Sequence, residues 1–237
     1  MNLYVLGSSS SGNCYLLYNE RSILIIEAGV PFKELNKLHL FDLKKVSGCI
    51  ITHEHGDHAS RVKEYQDKGI KCYASSGTIS KLNENVKNIS LFNSEDFEVF
   101  HFPVDHDASD PVGFYIKSGE ETILFATDTY VLRYNFKDLT SILIECNYSM
   151  DILNENLKNG KLSVSRRDRT ILSHMELNVC LDTIKSNDIK NVNKIVLLHL
   201  SDLNSDEELF VRTMEDNLKI KTYAAKKDLN IDLDTPF

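Results

Sequence analysis

The stretch His53-Glu54-His55-Gly56-Asp57-His58 decides how this chain is to be read. It places three imidazoles and the Asp57 carboxylate directly after the apolar run Gly48-Cys-Ile-Ile-Thr52. Imidazole nitrogen and carboxylate oxygen are the ligands that hold zinc and other first-row divalent ions. In an extended segment alternate side chains share a face, so His53, His55 and Asp57 start on one side. Gly56 permits a bend that turns His58 elsewhere, toward a second ion. Asp57 as a simple helix cap is the alternative, but it leaves three clustered histidines unexplained.

Working outward, two more apolar runs end in ligand-type residues: Thr122-Ile-Leu-Phe-Ala-Thr-Asp128 and Lys194-Ile-Val-Leu-Leu-His199. An ionised carboxylate at the end of a buried strand is costly unless paired or metal-bound. One shared site accounts for the strand ends at His53, Asp128 and His199 together, where solvated ends would be three coincidences. His106, in Pro103-Val-Asp-His-Asp-Ala108, is the remaining candidate ligand. His101 lies in an alternating strand, where a packed side chain is expected, and His39 is expected at the surface.

The frame around these residues is ordinary. The 237 residues are 42% apolar and 26% charged, as in a globular protein. No Gly-, Ser- or Pro-rich linker divides them, so one domain over 1–237 is expected. No apolar run reaches the ~18 residues that span a bilayer, and Asn2–Leu6 follows no charged leader. The five cysteines are scattered and read as reduced thiols. A cytoplasmic protein without a membrane partner is the expectation, with a homo-oligomer left open. A net charge of −8 argues against a surface coated for nucleic acid, but not against a local site. Lys158, Lys161, Arg166, Arg167 and Arg169 face only Asp168 in their segment. That run reads either as a solvated loop or as a phosphate-facing patch.

Short β-rich runs recur at 2–6, 14–18, 22–27, 48–52, 71–74, 97–102, 112–117, 122–127, 141–146, 194–199 and 219–225. Helical patterns fall near 31–38, 58–68, 76–84, 150–158, 174–187 and 204–217. An α/β structure follows, with two sheets packed together and helices outside. Ser173-His-Met-Glu176 has capping-box spacing, which predicts a helix starting at His174.

HEHGDH followed by His106, Asp128 and His199 resembles the metallo-β-lactamase-fold hydrolases over nearly the whole chain. Gly7-Ser-Ser-Ser-Ser-Gly-Asn13, His106-Asp-Ala, Pro111-Val-Gly-Phe114, Thr127-Asp-Thr129, Glu145-Cys-Asn147 and His199-Leu-Ser201 narrow the resemblance to the YycJ/WalJ-type branch. That branch is associated with DNA exonuclease activity and is related to ribonuclease Z and PhnP-type phosphodiesterases. The resemblance implies a four-layer αββα fold, two mixed β-sheets sandwiched between helices. It implies that His53, His55 and His106 hold one divalent ion, Asp57, His58 and His199 another, and that Asp128 bridges them. Zn2+ and Mn2+ both suit such a pair, and a shared hydroxide would attack phosphorus. Asp57 is expected to orient that hydroxide or take its proton.

His174 is expected to be catalytic and to contact phosphate at a helix N-terminus, whose dipole would lower its pKa. Ser10 and Asn13 are expected to face phosphate as well, although Ser8–Asn13 lacks a P-loop ending and reads equally as a polar turn. Glu145 and Asn147 are expected behind the ligands. Two departures stand out: Glu27 occupies the place of a usual Asp, and Ser-His-Met-Glu-Leu surrounds His174. The leading expectation is a dinuclear phosphodiesterase acting on nucleic acid, DNA before RNA. A hydrolase of a small (thio)ester or cyclic phosphodiester is the alternative. An antibiotic lactamase and a non-enzymatic metal binder fit the ligand set less well.

Overall fold

A computed structural model describes residues 1–234. The first sheet runs β1 (Asn2–Gly7), β2 (Cys14–Tyr18), β3 (Ile23–Ile26), β4 (Val46–Ile50), β5 (Cys72–Ala74) and β6 (Lys87–Asn88), with a last strand, Asn230–Asp232, on the outer side of β1. The second sheet runs β7 (Glu98–Pro103), β8 (Val112–Ser118), β9 (Glu121–Ala126), β10 (Ser141–Glu145), β11 (Lys194–Leu198) and β12 (Lys221–Ala224). Both follow one plan: the first three strands pair antiparallel, and the last three join in parallel. The chain is therefore a topological repeat, although its two halves show no obvious sequence repeat.

Alternation along each strand sorts side chains between layers. Leu3, Val5, Tyr15, Leu17, Leu24 and Ile26 of the first sheet meet Phe114, Phe125, Leu143 and Val196 of the second. Tyr15 and Phe125 join across the interface edge-to-face, with ring centroids 5.2 Å apart. The intervening residues Leu16, Ile25 and Cys49 turn outward onto Phe32, Val62 and Tyr65 of the flanking helices. On the other side Ile142, Ile144, Ile195 and Leu197 pack on Ile184, Phe210 and Met214. These layers give the αββα arrangement expected from the sequence. Each large side chain buried there contributes roughly 1.5–3 kcal/mol.

The helices are α1 (Phe32–Leu35), α2 (Gly56–Ala59), α3 (Val62–Asp67), α4 (Ser76–Lys81), α5 (Met150–Lys158), α6 (Val164–Ser173), α7 (Leu177–Ser186) and α8 (Glu207–Leu218). Three details correct the sequence reading. The helix expected over 58–68 is two short ones, α2 and α3. The basic run up to Arg169 enters a helix, α6, capped by the Ser163 hydroxyl on the Arg166 N–H. The next helix starts at Leu177, not His174, because Glu176 is its cap and accepts from the N–H groups of Asn178 and Val179. Ser173 ends α6, and His174 lies extended in the link between two helices. Among the described residues no helix is long and apolar enough to cross a membrane.

Candidate metal centre

Strand ends build the site. β4 leads through Thr52 into His53 and His55, and α2 then carries Asp57 and His58. β9 delivers Asp128, β10 Glu145 and β11 His199, all at the C-terminal ends of three neighbouring parallel strands of the second sheet. The loop after β7 delivers His106. Glu27, Asp128 and His199 follow their strands with φ of 70°, 48° and 53°, in the left-handed region. Each such residue costs about 1–3 kcal/mol of backbone strain, which surrounding contacts must offset. At His199 they are visible: its N–H donates to Ser8 Oγ (2.9 Å) and its carbonyl accepts from Asn147 Nδ2 (2.7 Å).

Gly29 has a similar purpose. A Cβ there would lie 1.7 Å from the Asp57 carbonyl oxygen, so only glycine lets the segment after Glu27 approach the helix that carries Asp57 and His58. Asn13 fastens the same contact through its N–H to Asp57 O (2.7 Å) and its amide to Asp57 Oδ2 (3.2 Å).

The donor atoms of His53, His55 and His106 converge within 4.8 Å of one another, and so do those of Asp57, His58, Asp128 and His199. Asp128 joins the two sets. Its Oδ2 lies 3.0 Å from His58 Nε2, 3.6 Å from His53 Nε2 and 3.8 Å from His106 Nε2, and its Oδ1 lies 2.9 Å from His199 Nδ1. Nitrogens of two of these imidazoles, His53 Nε2 and His199 Nε2, are buried without a hydrogen-bond partner. Each unpaired buried group costs about 1–3 kcal/mol. Divalent cations would satisfy such groups, and the donor set fits them.

Charge states differ between the two donor groups. Burial, reinforced by the nearby His58, holds His53 well below the usual imidazole range, hence neutral. Burial works against ionisation of Asp128, but the imidazoles of His199 and His58 prevail and hold it well below the carboxylate range. Burial opposes charge on His58 and His199 too, yet Asp128 raises both.

A second ring of contacts fixes the donors. Glu27 is fully buried and accepts from Thr52 Oγ1 (2.5 Å), whose oxygen is 2.9 Å from His53 Nδ1. Its Oε1 is also 3.3 Å from His58 Nδ1. Glu27 thus backs two of the convergent imidazoles at once. Glu145, equally buried, accepts from the Thr129 N–H (2.8 Å) and faces His174 Nδ1 (2.7 Å) and His199 Nδ1 (3.3 Å). Glu54 accepts from the Ser109 N–H (2.8 Å) and ties the His106 loop to the histidine motif. The sequence alone offered no role for Glu54, because that partner is distant in the chain.

Other expected residues fall differently. Asn13 is fully buried behind Asp57, whereas Ser10 lines a cavity of about 320 Å³ beside His174 and His199. His174 stands at the C-terminal end of α6, without the helix N-terminus expected for it. Burial disfavours its charge, but the Glu145 carboxylate raises its pKa, opposite to the direction expected. His101 is exposed on β7 rather than packed, and His39 is exposed as expected.

Two sheets between helices, with histidine and aspartate clusters at one end of their strands, define a metallo-beta-lactamase-fold protein. Residues 9–86 match the profile of the metallo-beta-lactamase superfamily. The chain is 27% identical over 254 residues to exodeoxyribonuclease WalJ of Streptococcus pneumoniae serotype 2 (strain D39 / NCTC 7466), covering 97% of this chain and 90% of that one. It is 24% identical over 253 residues to exodeoxyribonuclease YycJ of Bacillus anthracis, covering 98% and 94%. Among solved structures, the metallo-beta-lactamase fold protein YhfI from Bacillus subtilis superposes with a TM-score of 0.73 at 15% identity, covering 97% and 98%. Zn(2+)-bound PqqB from Methylobacterium extorquens does so with 0.72 at 12% identity, covering 98% and 100%. A diphosphatase from the PhnP family gives 0.68 at 13% identity, covering 98% and 97%.

Proposed function

We propose that this protein is a dinuclear metal-dependent phosphodiesterase that shortens DNA from an end. The observation that carries the reading is Asp128 set between two convergent donor groups. The names of the WalJ and YycJ relatives support the nuclease part. We assign His53, His55 and His106 to one ion and Asp57, His58 and His199 to the other, with Asp128 shared. The nitrogen-rich donor set and the zinc-bound PqqB neighbour favour Zn2+, with Mn2+ the alternative. Two such ions supply Lewis acidity toward phosphoryl oxygens and lower the pKa of water from ~15.7 toward ~7.

The chain's own residues then complete the chemistry. Asp57, positioned by Asn13 and His58, orients the attacking water and accepts its proton. His174 has its Nδ1 engaged by Glu145, which leaves Nε2 for a phosphate or leaving-group oxygen in the cavity. Ser10 presents a hydroxyl to the same space.

The test is a substrate panel with added zinc or manganese. Hydrolysis of bis-p-nitrophenyl phosphate, stepwise shortening of end-labelled DNA and inertness toward S-lactoylglutathione are expected. Thioester cleavage, or activity confined to small or cyclic diesters, would overturn the nuclease reading.

A further inference from the structure

The 320 Å³ cavity beside the metal centre has one wall made by a single face of α6. Arg166, Arg169 and Thr170 line it, at the i, i+3, i+4 spacing of one helical face. The same helix ends at Ser173 and hands His174 to the donor cluster. Ser9 and Ser10 stand among the residues of the remaining lining. Arg167, between the two arginines in sequence, does not line the cavity and is engaged by Asp168 at 2.5 Å. Arg166 and Arg169 are exposed, and neither guanidinium has an ion-pair or hydrogen-bond partner among the described residues. Asp202 is the one acidic residue in the lining.

Unpaired guanidinium groups on a cavity wall are ready to receive phosphate oxygens, which they bind in bidentate fashion. The arginines also answer a local problem. α6 points its C-terminal, negative end at the donor cluster, so its backbone repels an approaching anion there. Cationic side chains on its cavity face counter that field. From Arg166 to Ser173 the helix rises about 10 Å, so the two arginines stand away from a phosphate reacting at His174 and beside its neighbours along the strand.

We propose that Arg166 and Arg169 form a strand-docking site that grips the non-scissile phosphates of a single nucleic-acid strand and feeds its end toward His174 and the metal centre. This rests on the phosphodiesterase reading and names how its polymeric substrate is held.

The test is binding of a fluorescein-labelled phosphorothioate oligodeoxythymidylate of about twelve nucleotides to the metal-loaded protein, followed by anisotropy across a salt series. The Arg166→Gln/Arg169→Gln variant should bind at least ~10-fold more weakly, and its log K against log[salt] slope should be shallower by about 1.4, for two lost contacts at ~0.7 each. Arg167→Gln removes a charge from the same helix and should bind within about twofold of the wild type. On hydrolysable DNA the double variant should raise KM far more than it lowers kcat.

Unchanged binding in the double variant would overturn the proposal. So would an equal loss in Arg167→Gln, which would reduce the effect to net charge. A proportionate loss on bis-p-nitrophenyl phosphate, which has no flanking phosphate, would put the arginines at the reacting centre and overturn it too. A wild-type protein that binds the strand with the expected slope yet cleaves no diester would instead defeat the phosphodiesterase reading.

Discussion

Glu145 Oε1 lies 2.7 Å from His174 Nδ1, joining a fully buried carboxylate at the end of β10 to the partly exposed imidazole beside the cavity. The carboxylate's second oxygen is already held by the N–H of Thr129 (2.8 Å), immediately after Asp128. One acid thus sets both the ring beside the cavity and the turn that presents Asp128.

That relationship predicts coupled loss. His174→Ala should lower kcat by about 100-fold, the scale of removing one transition-state hydrogen-bond donor, while elemental analysis still finds the wild-type metal content. Glu145→Gln should lower kcat as well. The double variant should cost less than the two singles combined, with a coupling of about 1–3 kcal/mol in a double-mutant cycle. Strict additivity would show that the contact does not act through His174.

Asn13 and Ser10 should separate cleanly. Asn13 is buried against Asp57 and His58, so Asn13→Ala should weaken metal binding by about 10–100-fold, the usual cost of losing a group that orients a ligand. Ser10→Ala should leave metal affinity alone and raise KM. Competition with a chromogenic chelator measures the first, and steady-state kinetics on DNA the second.

A pH effect on stability is expected far from the centre, at Glu121. Burial and the adjacent Asp234 push its carboxyl up to about 7, although the Thr140 hydroxyl opposes them. A folded pKa above the unfolded one contributes stability below about 4.5 that is lost as pH rises through about 7. Glu121→Gln should therefore melt higher than the wild type at pH 8, and the gap should shrink at pH 5. A gap independent of pH, measured by calorimetry, would contradict the assignment.

Much of this architecture is legible in the sequence because alternation is strong where a strand faces two layers. Tyr15, Leu17, Leu24 and Ile26 point one way and Leu16 and Ile25 the other, and the strands fall where that pattern places them. The runs that escape reading are those without a buried face. β6 and the Asn230–Asp232 strand are short and polar, and α6 buries only Ser173. The start of α7 was misplaced because Ser173 and Glu176 have capping-box spacing, while the fold uses Glu176 itself as cap. A bridge from Tyr148 to Glu176 keeps that link extended and so gives His174 its place. The duplicated topology has no obvious repeat to match it in the sequence, since strand pairing demands alternation and not identity.

The convergence of these donor groups is readable for a different reason. Histidine and aspartate at the ends of buried strands are expensive anywhere else, so their positions announce a site before any geometry is known. The contacts behind them were not readable. Glu54 with Ser109 and Ser8 with His199 depend on which loops the two sheets bring together.

The central claim is that Asp128 joins two cation sites, and metal stoichiometry tests it most directly. Protein stripped with chelator and titrated with Zn2+ in a calorimeter should take up two ions per chain, with elemental analysis after gel filtration agreeing. Asp128→Asn should retain fewer than two and lose activity. Uptake of a single ion by the wild type, or none, would contradict the account.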